Sequence, residues 1–328
     1  MNKKPLFIVV AIIAVAVAVS VKIGLFDAMM SSGAFQANKE QAEQGDAKAQ
    51  LELGKRYYHG AGIEKDGAEA LRWFLKSAEN GNPAAMRHAA LMYKNGEASD
   101  QNYKLAMQWL QAAFDASDAM AAYFIGQMYQ KGEGVEENIE AAFSWYQRGA
   151  ARGDSWSHLA LGHLYQHGQE DFQIDLNKAE KWYRLSAKMG NVYAEYEMGW
   201  FYSQGLAVKK DYQKAELWYR RSAEKGYWLA ANNLAWMFST SKEDGVRNGK
   251  AAMKLIESVQ LDALSDADKV IALDTFAASY AEVGRFTDAV MAQQSVLNIQ
   301  KELKMEKDHV EKAGLRLEYY QQRKAWRE

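Results

Sequence analysis

Two histidines, His163 and His167, stand four residues apart, with Glu170 three residues further on. That spacing puts both imidazoles on one face of a helix, and two imidazoles with a carboxylate form a plausible zinc-ligand set. His167, however, occupies a variable position of a repeating pattern, equivalent to His59, Asn95, Lys131 and Gln204. We therefore assign no metal there. The adjacent carboxylates Glu136 and Glu137 are of the type used in general acid–base chemistry, but they fall in a loop and read as solvated. The chain has no G-x-S-x-G, P-loop, H-E-x-x-H or complete G-x-G-x-x-G. Gly132 and Gly134 recur as Gly60 and Gly62, so a structural loop accounts for them. With no cysteine in 328 residues, thiol catalysis, disulfides and cysteine metal sites are excluded. No catalytic residue and no cofactor is assigned.

The residues that remain point to binding. Four rows share one helical spacing of i, i+4 and i+7: Met120, Phe124, Gln127; Trp156, Ala160, His163; Tyr193, Glu197, Trp200; and Leu229, Asn233, Trp236. Each row lies on one face of its helix. Large aromatics on a face that does not repeat are unexpected for a merely solvated surface. Phe124, Trp156, His163, Tyr193, Glu197, Trp200, Asn233 and Trp236 are the candidate protein-binding residues. The competing reading is that some of these rings pack between neighbouring helices.

The elements that carry them follow from a periodicity. Tyr57, Tyr93, Tyr129, Tyr165 and Tyr202 recur at spacings of 36, 36, 36 and 37, with Gly60, Gly96, Gly132, Gly168 and Gly205 each three residues later. Trp73, Trp109, Trp145, Trp182 and Trp218 keep step, as do Ala70, Ala106, Ala142, Ala179 and Ala215. Small and apolar residues eight, four and three positions before each tyrosine form one helical stripe. The glycine after the tyrosine is placed to end that first helix. Asp66, Asn102, Asn138, Asp175 and Asp211 are placed to cap a second, whose periodic tryptophans we expect in the core. Such helix pairs bury their apolar faces only by stacking, which predicts an all-α fold, a right-handed α-solenoid.

The pattern A-x-x-x-L-G-x-x-Y-x-x-G, then D/N-x-x-x-A-x-x-W-[YF]-x-x-A-x-x-G, resembles the Sel-1-like repeat, a relative of the tetratricopeptide repeat. The resemblance covers about two thirds of the chain. Copy two departs from it, with Ala90, Phe114 and Ser117 in place of a glycine, an alanine and a glycine. In the related tetratricopeptide fold the first-helix face lines a concave groove, so the resemblance implies that the aromatic rows face a groove for a protein or peptide partner. It implies fold more strongly than activity, because one fold hosts many functions.

Net charge is −2 without a basic block, which argues against a nucleic-acid partner. Residues 1–26 read as a membrane anchor or a signal sequence. MNKK precedes the uncharged run Leu6–Val21, and Lys22 is able to snorkel. The anchor is the preferred reading, because the apolar run continues without a polar stretch. The alternative is cleavage near Ala16-Val17-Ala18. Either way the bulk of the chain is expected on the far side of a bacterial inner membrane, in the periplasm. Residues 27–38 form a polar tether and 39–238 the repeats, ending in a sixth helix at Ala230–Phe238. Lys250–Val259 reads as a helix with Ala251 one further period after Ala215. Leu273, Phe276, Ala277, Tyr280, Gly284, Phe286 and Ala289 resemble a tetratricopeptide repeat, with Gln293 where an aromatic is usual. Lys301–Glu328 reads as one charged amphipathic capping helix, and residues 239–328 as a C-terminal region. The sequence fixes no oligomeric state.

Overall fold

The computed structural model describes residues 35–169 and 172–328, and within them the chain is helical, apart from loops and one isolated bridge between Gln169 and Phe172. Helix α1 is described over residues 35–43. The helices that follow are α2 (Ala47–His59), α3 (Gly67–Glu79), α4 (Pro83–Asn95), α5 (Tyr103–Asp115), α6 (Met120–Lys131), α7 (Ile139–Ala151), α8 (Ser155–His167), α9 (Leu176–Lys188), α10 (Val192–Gln204), α11 (Tyr212–Glu224), α12 (Trp228–Thr240), α13 (Gly249–Glu257), α14 (Asp266–Glu282), α15 (Phe286–Glu302) and α16 (Lys307–Gln321). The chain divides into two compact units, Met1–Ser157 and His158–Glu328. Each is an α-solenoid in which a first helix packs on a second and the pair stacks on the next. No described helix is long and apolar enough to cross a membrane. The anchor or signal reading concerns residues 1–26, which lie outside the described residues.

Local chemistry explains the repeat. Asp66, Asn102, Asn138, Asp175 and Asp211 each accept a hydrogen bond from the backbone N–H three residues on, opening α3, α5, α7, α9 and α11. The backbone N–H of the same cap donates to the carbonyl of the preceding periodic tyrosine: Asp66 to Tyr57 at 3.0 Å, Asn102 to Tyr93 at 2.8 Å, and Asp211 to Tyr202 at 3.0 Å. The tyrosine position therefore locks the loop through its backbone. Gly205, at φ 74°, takes the left-handed conformation that closes α10, and Gly60, Gly96 and Gly132 end their helices the same way.

The core is not where the periodic tryptophans were expected to place it. Trp73 is buried, but Trp109, Trp145, Trp182 and Trp218 are only half-buried. Cations cover some of their faces, with Arg148 at 3.8 Å from the Trp145 ring centre and Arg221 at 4.8 Å from that of Trp218. The next residue is the buried one in every copy: Phe74, Leu110, Tyr146, Tyr183 and Tyr219. Copy one buries both neighbours, Trp73 and Phe74, whereas in the other four copies only the second of the two turns fully inward.

Two further expectations are corrected. The sixth helix pair is complete, α12 with α13, and Asn248 caps α13 while its N–H donates to the Phe238 carbonyl at 2.9 Å. The cap lies four residues before Ala252, which is the fully buried alanine. The loop is one residue longer than a strict period, and Ala252, not Ala251, takes the place of Ala215. The region 301–328 is not one helix either. Residues 301–302 finish α15, Lys304 sits at φ 52°, and α16 ends at Gln321, after which residues 324–328 lack regular structure. Within α16, Ala313 and Tyr320 are buried, while Leu315 and Tyr319 face solvent.

Candidate functional site

The first helices of the second unit carry most of the candidate residues. His163 on α8 lies with Nε2 3.8 Å from Glu197 Oε1 on α10, and its ring meets Tyr183 edge to face at 5.5 Å. Asn233 on α12 donates Nδ2–H to the Tyr196 hydroxyl on α10 at 3.2 Å. Tyr193, 38% exposed, sets its ring against Tyr227 at 4.9 Å, and Tyr196 meets the same ring at 5.3 Å. Trp200 and Trp236, both half-buried, line a cavity of about 410 Å³ together with Asn233, Tyr219 and Lys210. The Trp236 indole donates to Glu328 Oε1 at 2.7 Å. The aromatic rows thus combine the two readings left open by the sequence. Trp156 meets Tyr123 of the neighbouring first helix, whereas Trp200 meets Phe201 and Phe124 meets Tyr123 within their own helices.

Phe124 and Trp156 belong to the first unit. Both are half-buried and both lean on Tyr123, at 5.2 Å and 5.6 Å. Phe124 also packs on the core formed by Ile125, Met128, Leu110 and Phe114.

Burial sets the electrostatics of the second unit's face. It raises the phenols of Tyr183, Tyr196 and Tyr219, and it pushes that of Tyr227 up to about 12. These groups are neutral hydrogen-bonding rings at physiological pH. Tyr183 donates its hydroxyl to Gln166. Asp274 is half-buried, and desolvation raises its carboxyl against the opposing pull of Arg316. Arg316 pairs with both carboxylate oxygens at 2.9 Å, and Gln293 Nε2–H donates to the same group at 2.9 Å. That polar core explains why a glutamine replaces the usual aromatic at position 293.

His163 and His167 have ring centres 6.1 Å apart. Among the described residues no group of three or more histidine or carboxylate side chains converges, and Glu170 lies outside them.

Sequence reasoning missed Tyr227 and the segment Trp326–Glu328. Tyr227 had a visible signal. The position at the start of each first helix is Asp46, Asn82, Asp118, Asp154 and Asn191, in phase, and then Tyr227, with Asp118 one residue further out because α6 starts at Met120. An aromatic that replaces five capping side chains gives up a cap for a ring contact. The terminal segment had no periodic signal and was absorbed into the expected long helix.

The Sel1 repeat model matches residues 47–82, 83–118, 119–154, 157–191 and 192–227. No curated protein matches the chain. Among solved structures, a Sel1 repeat protein from Oxalobacter formigenes is 28% identical, with TM-score 0.59, over 65% of this chain and 86% of that one. The protein c5321, a protective antigen of uropathogenic Escherichia coli strains with an SLR fold, is 22% identical, with TM-score 0.56, over 88% of this chain and 71% of that one. The matched repeats cover more than half of the sequence, and all but the fourth, which starts inside α8, run from one first-helix cap position to the next: this chain belongs to the Sel1 repeat family.

Proposed function

We propose that the protein is a non-enzymatic scaffold, tethered to the bacterial inner membrane by residues 1–26, that holds a partner protein or an extended segment of one on the periplasmic side. Sel1 repeats form protein-interaction scaffolds, and such repeat proteins are typically adaptors without catalytic function. One observation carries the choice of surface. Trp200, Trp236, Tyr193 and His163 keep accessible faces on a row of first helices, with Asn233 and Glu197 as polar fixers, next to a cavity able to take a side chain. In the first unit Phe124 and Trp156 would serve the same purpose. The tether would raise the partner's effective concentration at the membrane.

The test is in-cell crosslinking of the full chain, affinity capture and mass spectrometry, with a Trp200→Ala/Trp236→Ala double variant of unchanged circular dichroism as control. A single envelope protein captured by wild type and lost in the variant is the expected result. Unchanged capture by the variant overturns the assignment of the surface. The small-x-small run Ala16-Val17-Ala18 favours a second reading, a freely exported binding protein. Intact mass and alkaline carbonate extraction separate the two: an anchored protein keeps residues 1–18 and stays with the membrane pellet.

A further inference from the structure

Helix α12 ends unlike α2, α4, α6 and α10. Its cap is Ser241, at φ −52° and ψ 137°, with no left-handed glycine to satisfy the last carbonyls. The chain returns 88 residues later to do so. The backbone N–H of Glu328 donates to the Thr240 carbonyl at 2.8 Å, and Arg327 donates Nη1–H to the Ser239 carbonyl at 3.1 Å. The other arm of Arg327 pairs with Glu282 at 2.6 Å. The Glu328 carboxylate is held between two indoles, Trp236 at 2.7 Å and Trp326 at 3.1 Å. Arg316 lies near both rings, 5.6 Å and 6.0 Å from their centres. Glu328 lines the cavity shared with Trp200 and Asn233.

These contacts name the chemistry that the surface recognises: a backbone N–H, a guanidinium and a carboxylate on consecutive residues of an extended segment. Lys324 N–H donates to the Tyr319 carbonyl at 2.9 Å and the Trp326 ring meets Tyr319 at 5.1 Å, so the segment is anchored on α16 as far as Trp326. Arg327 and Glu328 extend beyond that anchor and are held by the polar contacts above, each of which a segment of the same chemistry can replace. We propose that the surface formed by Trp236, Ser239, Thr240 and Glu282 is a recognition site for an extended Arg-acidic peptide segment, occupied in cis by Arg327-Glu328 and taken in trans by a partner segment of the same chemistry. The proposal rests on reading Trp200 and Trp236 as part of the partner surface. It adds that the partner competes with the chain's own Arg327-Glu328, which lowers its apparent affinity by the fraction of time the site is open.

The test uses a fluorescein-labelled peptide of residues 322–328, amidated at its C-terminus, and fluorescence anisotropy on the full chain. The Arg327→Ala/Glu328→Ala variant, with its cis segment disabled, is expected to bind the peptide at least about tenfold more tightly than wild type. A peptide with the arginine and glutamate exchanged should not bind, and Glu282→Gln in the disabled background should weaken binding about tenfold or more. Equal affinity for the disabled and wild-type chains, no binding to the disabled chain, or equal binding of the exchanged peptide overturns the proposal. Partner capture run on the same preparations separates the two ideas. If the peptide fails while capture remains sensitive to Trp200→Ala/Trp236→Ala, only the proposal for the Arg327-Glu328 site falls. If capture ignores the tryptophans, the surface reading falls with it.

Discussion

The Tyr219 ring lies flat against the backbone of Gly199, so that a Cβ on that glycine would fall 2.5 Å from ring carbon Cδ1. Gly54 with Phe74, Gly126 with Tyr146 and Gly162 with Tyr183 repeat the relationship. Copy two replaces both partners, with Ala90 facing Leu110, and both are fully buried. The sixth pair does the same with Ala235 and Ile256. Glycine opposite an aromatic and alanine opposite an aliphatic are two solutions to one volume problem. Gly199→Ala is expected to cost about 1–3 kcal/mol. Combining it with Tyr219→Leu should recover part of that, giving a favourable coupling above about 0.5 kcal/mol in a double-mutant cycle. Urea unfolding followed by circular dichroism measures both, and strict additivity would refute the paired-volume account.

The register of α13 yields a sharper test. Ala252 is completely buried and Ala251 is not. Ala252→Leu should destabilise by about 1–3 kcal/mol, whereas Ala251→Leu should shift the unfolding midpoint little. Asn248→Ala, which removes the cap, should cost about 1 kcal/mol. The reverse order of the two alanine positions would restore the strict 36-residue period.

His88 makes the first unit sensitive to acid. Its ring stacks on Phe74 at 4.9 Å, and burial, with help from Arg87, pushes its pKa down to about 4. Between that value and its ordinary one of about 6.5, the unfolded chain binds a proton that the folded chain refuses. Stability is therefore fully present above about pH 6.5 and falls as the pH drops toward 4, by an amount on the order of 1–3 kcal/mol. His88→Gln should flatten this dependence in urea midpoints measured across that range.

The Asp274–Arg316 pair behaves in the opposite sense once broken. Burial raises the Asp274 carboxyl and Arg316 opposes that rise. Removing the arginine leaves a half-buried carboxylate without its main partner, so Arg316→Met should cost about 2–3 kcal/mol at neutral pH. A carboxyl raised above its unfolded value favours the folded state at low pH and loses that contribution as pH rises. The penalty should accordingly shrink near pH 4, and thermal unfolding at the two pH values checks it.

Periodicity made the helix pairs, their caps and their loops legible, because capping and left-handed turns depend on residue type at fixed offsets. It misled at the tryptophans. A repeated residue is repeated for a reason, but Trp145 and Trp218 recur at half-buried positions covered by arginines, while the less uniform neighbour fills the core. The candidate row stood out because it breaks the period, and the same rule would have singled out Tyr227. What stayed hidden depends on contacts distant in sequence. Gln293 reads as a defect until Asp274 and Arg316 surround it, and Glu328 reads as helix surface until it meets Trp236.

The central claim, that partners dock on the first-helix row, is tested most directly by site-specific photocrosslinking in cells. A photoreactive residue replaces Tyr193, on the row, or Leu217, which is 55% exposed on second helix α11. The account predicts a discrete adduct with one protein from position 193, abolished by Trp200→Ala, and none from position 217. An adduct from position 217 with none from 193 would contradict it.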